Sequence, residues 1–212
     1  MKIAVISQKG GVGKSTISRL LAVEYARNKW EVKIADMDLS QGTVTEWNRI
    51  RMDNSVEPKI AVEQFMAVKD AVKQESYYDL VVFDGEPHST KKTLEIAEAS
   101  DFIILPTGVT VDDLLPTVKL AHELKKSGID RKKIGIALSR VGDSQAEAEG
   151  ARQYIEEAGY HYLGLIQEKT SIGQAHDSGK AANETAFKSV NQNIDQFVQA
   201  IVDRMAKVKV KA

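Results

Sequence analysis

The stretch Lys2-Ile3-Ala4-Val5-Ile6-Ser7-Gln8-Lys9-Gly10-Gly11-Val12-Gly13-Lys14-Ser15-Thr16 decides the fold of this chain. It opens on a short apolar run rich in β-branched residues, passes through a glycine-rich turn, and enters a helical pattern at Lys14. Strand, glycine loop and helix in that order are what a phosphate-binding P-loop requires. Glycines let backbone N–H groups turn inward and approach a phosphate with no Cβ in the way. The positive end of the following helix points at the same charge. Gly10, Gly11, Val12, Gly13, Lys14, Ser15 and Thr16 are therefore the expected nucleotide-binding residues. Lys14 can reach the β- and γ-phosphates, and Ser15 can offer its hydroxyl to Mg²⁺. The strict pattern G-x-x-x-x-G-K-[ST] asks for glycine at position 8. This chain has Gln8 there, and a second lysine, Lys9, ahead of the glycine pair.

Outward from the loop, short apolar runs alternate with helical patterns. Strands are expected at Lys2–Ser7, Glu31–Ala35, Lys59–Val62, Leu80–Asp84, Phe102–Pro106, Lys133–Leu138 and Tyr162–Ile166. Helices are expected at Lys14–Asn28, Val44–Met52, Gln64–Gln74, Lys91–Ala99, Val111–Ser127 and Ala146–Ala158. Apolar, β-branched strands separated by helices imply an α/β three-layer fold, its twisted and mostly parallel central sheet covered by helices on both faces. Phe187, Val190, Ile194, Phe197, Val198, Ile201, Val202 and Met205 recur at helical steps and predict a last helix docked on that sheet. One domain over 1–206 is expected, followed by a short, frayed basic tail over 207–212.

The chain of 212 residues carries 29 basic and 30 acidic side chains, a formal charge of −1, which excludes the global positive field of a dedicated nucleic-acid binder. It has no cysteine, which removes disulfides, thiol nucleophiles and iron–sulfur ligation together. No run approaches the roughly 20 apolar residues of a membrane span, and the N-terminal run lacks the flanks of a signal peptide. A cytoplasmic location is the expectation.

Two acidic motifs follow strands. Asp36-Met37-Asp38-Leu39-Ser40-Gln41-Gly42 comes at the carboxyl end of a strand, where ligands bind in such sheets. Asp38 can orient or activate an attacking water, and Asp36 can hold magnesium through its hydration shell; a solvated polar loop is the alternative. Leu80-Val81-Val82-Phe83-Asp84 closes apolar residues around one acid, a Walker-B-like arrangement that makes Asp84 a magnesium candidate. Gly85 is a candidate sensor of the γ-phosphate through its N–H. His88 reads as a polar loop residue, since no proton-transfer constellation accompanies it.

The run Lys9-Gly10-Gly11-Val12-Gly13-Lys14-Ser15 resembles the deviant Walker-A motif of the ParA/MinD family of ATPases. The acidic run resembles that family's Asp-x-Asp-Pro-Gln pattern, with Leu39 in the proline position and one extra residue before Gln41. That leaves Asp38 as the carried-over residue. Pro106 and Asp113 match a further strand-to-helix turn, and Ser139-Arg140 falls where relatives contact adenine. Arg140 is read either as stacked on a base or as a surface ion pair. The resemblance implies ATP and Mg²⁺ as cofactors, and slow, partner-stimulated hydrolysis. It further implies an ATP-bound homodimer in which Lys9 reaches the partner's phosphates. Lys9, Lys14 and Asp38 are thus the catalytic candidates, and Ser15, Asp36 and Asp84 the metal candidates.

Within the family the chain is most similar to small ParA-type partition ATPases without an N-terminal DNA-reading domain. The implied partners are nonspecific DNA and a ParB-like or other cargo adaptor, with a nucleoid-associated location. Lys169, Lys180, Lys188, Arg204, Lys207, Lys209 and Lys211 are the DNA-binding candidates, an ordinary solvated helix face being the alternative. A MinD-like membrane role would need bulky apolar residues opposite a basic face at the C-terminus. Asp195, Asp203 and the valines of the tail do not supply that, so a membrane is not an expected partner. A metabolic ligase or kinase of the same fold is the remaining alternative.

Overall fold

The computed structural model describes residues 1–88 and 90–209. Seven strands among them form one sheet: β1 (Lys2–Val5), β2 (Val32–Asp36), β3 (Ala61–Gln64), β4 (Leu80–Asp84), β5 (Phe102–Thr107), β6 (Ile134–Val141) and β7 (His161–Gln167). Their order is β3-β2-β4-β1-β5-β6-β7 and every pairing is parallel. The helices are α1 (Lys14–Arg27), α2 (Thr43–Asp53), α3 (Val68–Val72), α4 (Thr90–Ala99), α5 (Val111–Lys126), α6 (Gln145–Glu157), α7 (Thr170–Asp177) and α8 (Lys188–Lys209). None among the described residues is long and apolar enough to cross a membrane.

The pleat explains why the strands are apolar throughout. Successive side chains alternate between faces, and here both faces are covered. β1 sends Ile3 and Val5 into a core shared with Ile17, Leu20 and Leu21 of α1 and Ile194, Phe197 and Ile201 of α8. Ala4, and Ile6 just past the strand, enter a second core with Ile96 of α4, Val118 and Ala121 of α5, and Ile155 of α6. Of the stripe expected for the last helix, Ile194, Phe197, Val198, Ile201 and Met205 are buried and Val190 and Val202 partly so; Phe187 is the exception. That residue precedes α8 and is 57% exposed, its carbonyl accepting from the Asn191 N–H.

Three local expectations need correction. The segment 64–74 is not one helix: Gln64 pairs with Asp36 in the β2–β3 ladder, and the Phe65 N–H donates to the Asp36 carbonyl at 3.0 Å. Sheet pairing thus overrides the helical pattern until Val68. Helix α7 has no counterpart in the sequence reading, because Thr170-Ser171-Ile172-Gly173 combines poor helix formers; burial of Ile172 and Ala175 holds it. The last helix runs on through Lys209, into the expected tail.

A buried ion pair ties α2 to the loop before α8. Arg51 is fully buried; its Nη1 donates to Glu184 Oε2 at 2.7 Å and to the Gly179 carbonyl at 2.9 Å, and its Nε donates to the Pro58 carbonyl at 3.0 Å. Removing one partner strands the other charge in a dry interior. Glu184→Ala is expected to lower unfolding stability by about 3 kcal/mol, read as a shift of the urea midpoint at unchanged slope.

Candidate functional site

Strand order places the phosphate loop. β1 is central, and the chain turns to β2 on one side and β5 on the other, so the loop after β1 lies at the crevice where connections diverge. The ladder register puts Val5 beside Asp84 and Asp84 beside Asp36. Three strand ends therefore deliver the loop and both acids to one place.

In the loop, Gly11 and Gly13 have φ of 72° and 92°. Gly13 is the more constrained: a Cβ there would stand 2.2 Å from Ser139 Oγ. Lys14 is buried and curls back so that its Nζ donates to the Lys9 carbonyl at 3.1 Å. Burial lowers its pKa, and the charges of Asp84 and Asp38 oppose that shift. A desolvated ammonium already facing the loop's backbone is poised for phosphate oxygens. Ser15 Oγ donates to Asp84 Oδ2 and Ser18 Oγ to Asp84 Oδ1, both at 2.8 Å. Burial pushes Asp84 up to about 6, against those two hydrogen bonds and with the help of Asp36.

Asp36 is also raised by burial. Its Oδ2 accepts from Thr45 N–H at 3.2 Å and Thr45 Oγ1 at 2.8 Å, and its Oδ1 from the Asp38 N–H at 3.1 Å. It thereby anchors the start of α2 and the loop carrying Asp38. Asp38 Oδ1 accepts from Ser40 N–H, Ser40 Oγ and Gln41 N–H at 3.2, 2.7 and 3.0 Å. Those bonds fix the carboxylate while its Oδ2 takes part in none of them. The Ser15 hydroxyl and the two carboxylates are hard oxygen donors, the kind Mg²⁺ takes together with phosphate oxygens; the donor set fits that ion. Gly85 corrects one expectation: its N–H donates to the Val5 carbonyl at 3.0 Å and continues the ladder, so it does not face the phosphate loop.

Lys9 goes elsewhere. Its Nζ donates to Asp113 Oδ1 at 2.6 Å and to the Asp112 carbonyl at 2.9 Å, and its side chain is 39% exposed. The Asp112 carbonyl is free for it because Pro116, four residues on in α5, has no N–H to give. Lys9 holds Asp113 below the ordinary carboxylate range. Arg140, at φ 56°, forms an ion pair with Glu168 at 3.1 Å and donates to the Gly11 carbonyl at 3.2 Å.

Beside Thr16 and Arg140 an open cleft of about 540 Å³ is bounded by Ser139, Glu168 and the α7 residues Gln174, His176 and Asp177. Its position at the start of α1 suits the nucleoside part of a nucleotide. Burial pushes His176 down to about 4, with Arg19 adding to the effect, and its Nε2 is buried without a partner among the described residues. A histidine depressed from about 6.5 contributes stability that is present above that pH and lost as pH falls toward 4. Lowering pH from 7 to 5 is expected to cost about 2 kcal/mol through His176. His176→Gln removes that dependence, as urea titrations at the two pH values would record. Asp84 acts oppositely, favouring the fold below about 6, so the difference between the two proteins isolates the histidine.

The basic candidates do not gather. Lys169 pairs with Asp143 at 3.1 Å and borders a groove with Val190 and Asn193 in the first half of α8. Arg204 donates to the Lys132 carbonyl at 3.0 Å and, with Lys207 and His161, lines a pocket at the strands' opposite ends. Along α8 the run from Val190 to Arg204 separates the two groups by about 20 Å. Lys188 starts that helix and Lys180 precedes it, its carbonyl accepting from Trp47 Nε1 at 3.0 Å. Lys211 lies outside the described residues. Sequence reasoning missed Ser18, Arg19, Thr45 and α7. A signal for the first two existed: polar residues inside the buried stretch of α1, at helical spacing from Lys14 and Ser15.

Residues 3–182 match the family model described as the CobQ/CobB/MinD/ParA nucleotide binding domain. A maintenance of carboxysome distribution protein A from Gloeobacter kilaueensis is 30% identical over 160 residues, covering 74% of this chain and 71% of that one. The septum site-determining protein MinD of Pyrococcus horikoshii, complexed with Mg-ADP, superposes with a TM-score of 0.77 at 20% identity, over 100% of this chain and 99% of that one. Apo McdA of Cyanothece superposes with a TM-score of 0.74 at 16% identity, over 94% and 98%. The two structural likenesses establish the fold.

Proposed function

This chain belongs to the CobQ/CobB/MinD/ParA family of nucleotide-binding proteins, and from that premise we propose that it is a ParA-like, Mg²⁺-dependent ATPase that positions a cargo. The reading is carried by the opposite destinations of two lysines in one loop. Lys14 is buried inside the loop, committed to the chain's own phosphate site, whereas Lys9 stands on the rim against Asp113. A cation on the rim of a phosphate site is placed to serve a second copy, as an arginine finger does.

In the proposed cycle, Lys14 and the loop amides bind the β- and γ-phosphates of ATP. Ser15, Asp36 and Asp84 hold magnesium, which neutralises phosphate charge when bound. Asp38 orients the attacking water and receives its proton. Two ATP-loaded copies associate face to face, with Lys9 exchanging Asp113 for the partner's phosphates. The dimer holds nonspecific DNA through basic residues of the C-terminal third, and a cargo-bound adaptor triggers hydrolysis. Residence on the nucleoid follows from DNA binding.

Sedimentation with and without ATP and Mg²⁺, combined with titration of random-sequence duplex DNA at 50 and 200 mM salt, tests this. The expected result is a dimer that binds DNA only with ATP, with affinity falling at least tenfold between the two salt concentrations. An ATP-loaded protein that stays monomeric, or that ignores DNA, overturns the positioning role.

A further inference from the structure

Arg19 is the least expected residue near the site. It lies on α1 next to Ser18, is only 6% exposed, and its Nη2 donates to the Thr43 carbonyl in the first turn of α2 at 2.6 Å. Its guanidinium carbon stands 5.4 Å from the centroid of the Trp47 ring, and Arg51 stands at the same distance from that ring. Its Nε is buried with no hydrogen-bond partner among the described residues. Burying a guanidinium is costly unless charge compensates it. The carbonyl and the indole carry no formal charge, and the other groups near it, Arg51 and His176, do not compensate it. Burial lowers its pKa to about 10, opposed by Asp84 and Asp36: Asp84 accepts from the adjoining Ser18 hydroxyl, and Asp36 from Thr45 in the same α2 turn that Arg19 grips. Those acids are neighbours in the β2–β4 ladder and repel one another.

We infer that Arg19 sets the affinity of the metal site: a fixed, buried positive charge, clamped by Thr43 and Trp47, that offsets the repulsion of Asp36 and Asp84 before the metal arrives and so competes with the metal for those acids. Arg19 also links two duties. The α2 turn it grips is the one Asp36 grips through Thr45, and the Asp38 loop leads into that turn. The charge that steadies the acids therefore also steadies the residue that handles water. This rests on Asp36 and Asp84 being magnesium ligands, as proposed above.

The test turns on a sign. A site that is merely loosened takes magnesium less well, whereas a site relieved of a competing cation takes it better. The measurement is equilibrium binding of a fluorescent ATP analogue during a magnesium titration, without turnover. Arg19→Gln keeps an N–H for the Thr43 carbonyl and drops the charge. It is expected to lower the half-saturating magnesium concentration roughly threefold to tenfold. Arg19→Lys keeps the charge and is expected to retain the unaltered dependence. Arg19→Met is the second neutral variant, expected to shift in the same direction should the glutamine protein fail to fold. An unchanged or raised half-saturation in the neutral variants, with magnesium-dependent binding intact in the unaltered protein, overturns the role of Arg19 alone. Absence of magnesium-dependent binding in the unaltered protein overturns the nucleotide reading and this inference with it.

Discussion

Lys14→Ala is expected to weaken ATP binding at least a hundredfold while leaving the fold intact. The side chain is buried, its Nζ rests on the Lys9 carbonyl, and burial has already lowered its pKa. A charged donor in that state gains charge-assisted bonds to phosphate oxygens and loses little further hydration on binding. Two such bonds correspond to roughly 3 kcal/mol, or a hundredfold in affinity. The unliganded protein loses one neutral acceptor contact and a partly desolvated charge, so its melting temperature should move by only a few degrees. Calorimetric titration with ATP and Mg²⁺ measures the first quantity and a melting curve the second. Binding retained within tenfold would remove Lys14 from the phosphate site.

Hydrolysis by Asp38→Ala is expected to fall by roughly 10² to 10⁴, the range a positioned general base supplies, with ATP still bound. Three donors converge on its Oδ1 and leave Oδ2 for water. Alanine removes the proton acceptor and also the turn that those bonds hold. Asp38→Asn separates the two effects: its amide oxygen can still accept from Ser40 and Gln41, but it takes no proton. Both variants should hydrolyse at the same depressed rate, and both should retain ATP long enough for the dimer to be isolated. An asparagine variant at the normal rate would show that the turn matters and the base does not. Phosphate release per protein, with bound nucleotide measured in parallel, distinguishes these results.

The fold was legible because its signals are local. Leu80–Asp84 spans the same residues as strand and as apolar run, and the buried stripe of α8 follows its helical period. Legibility failed where pairing or burial outvoted local preference. Gln64 and Phe65 were drawn into the β2 ladder, and α7 formed around Ile172 and Ala175 in spite of Gly173. The cleft against α7 shared that fate, as did His176.

The loop from Lys9 to Ser15 and the acids after β2 and β4 are determined by the sequence alone, because glycine spacing and strand-end carboxylates have chemical meaning before any folding is known. Only the tertiary structure decided what those residues face. The register that seats Asp36 beside Asp84, the buried Arg19 against Thr43 and Trp47, and the freed Asp112 carbonyl that takes Lys9 each join residues distant in the chain. Electrostatic partnership depends on distance through space, and sequence spacing carries that distance only within a helix turn or a loop.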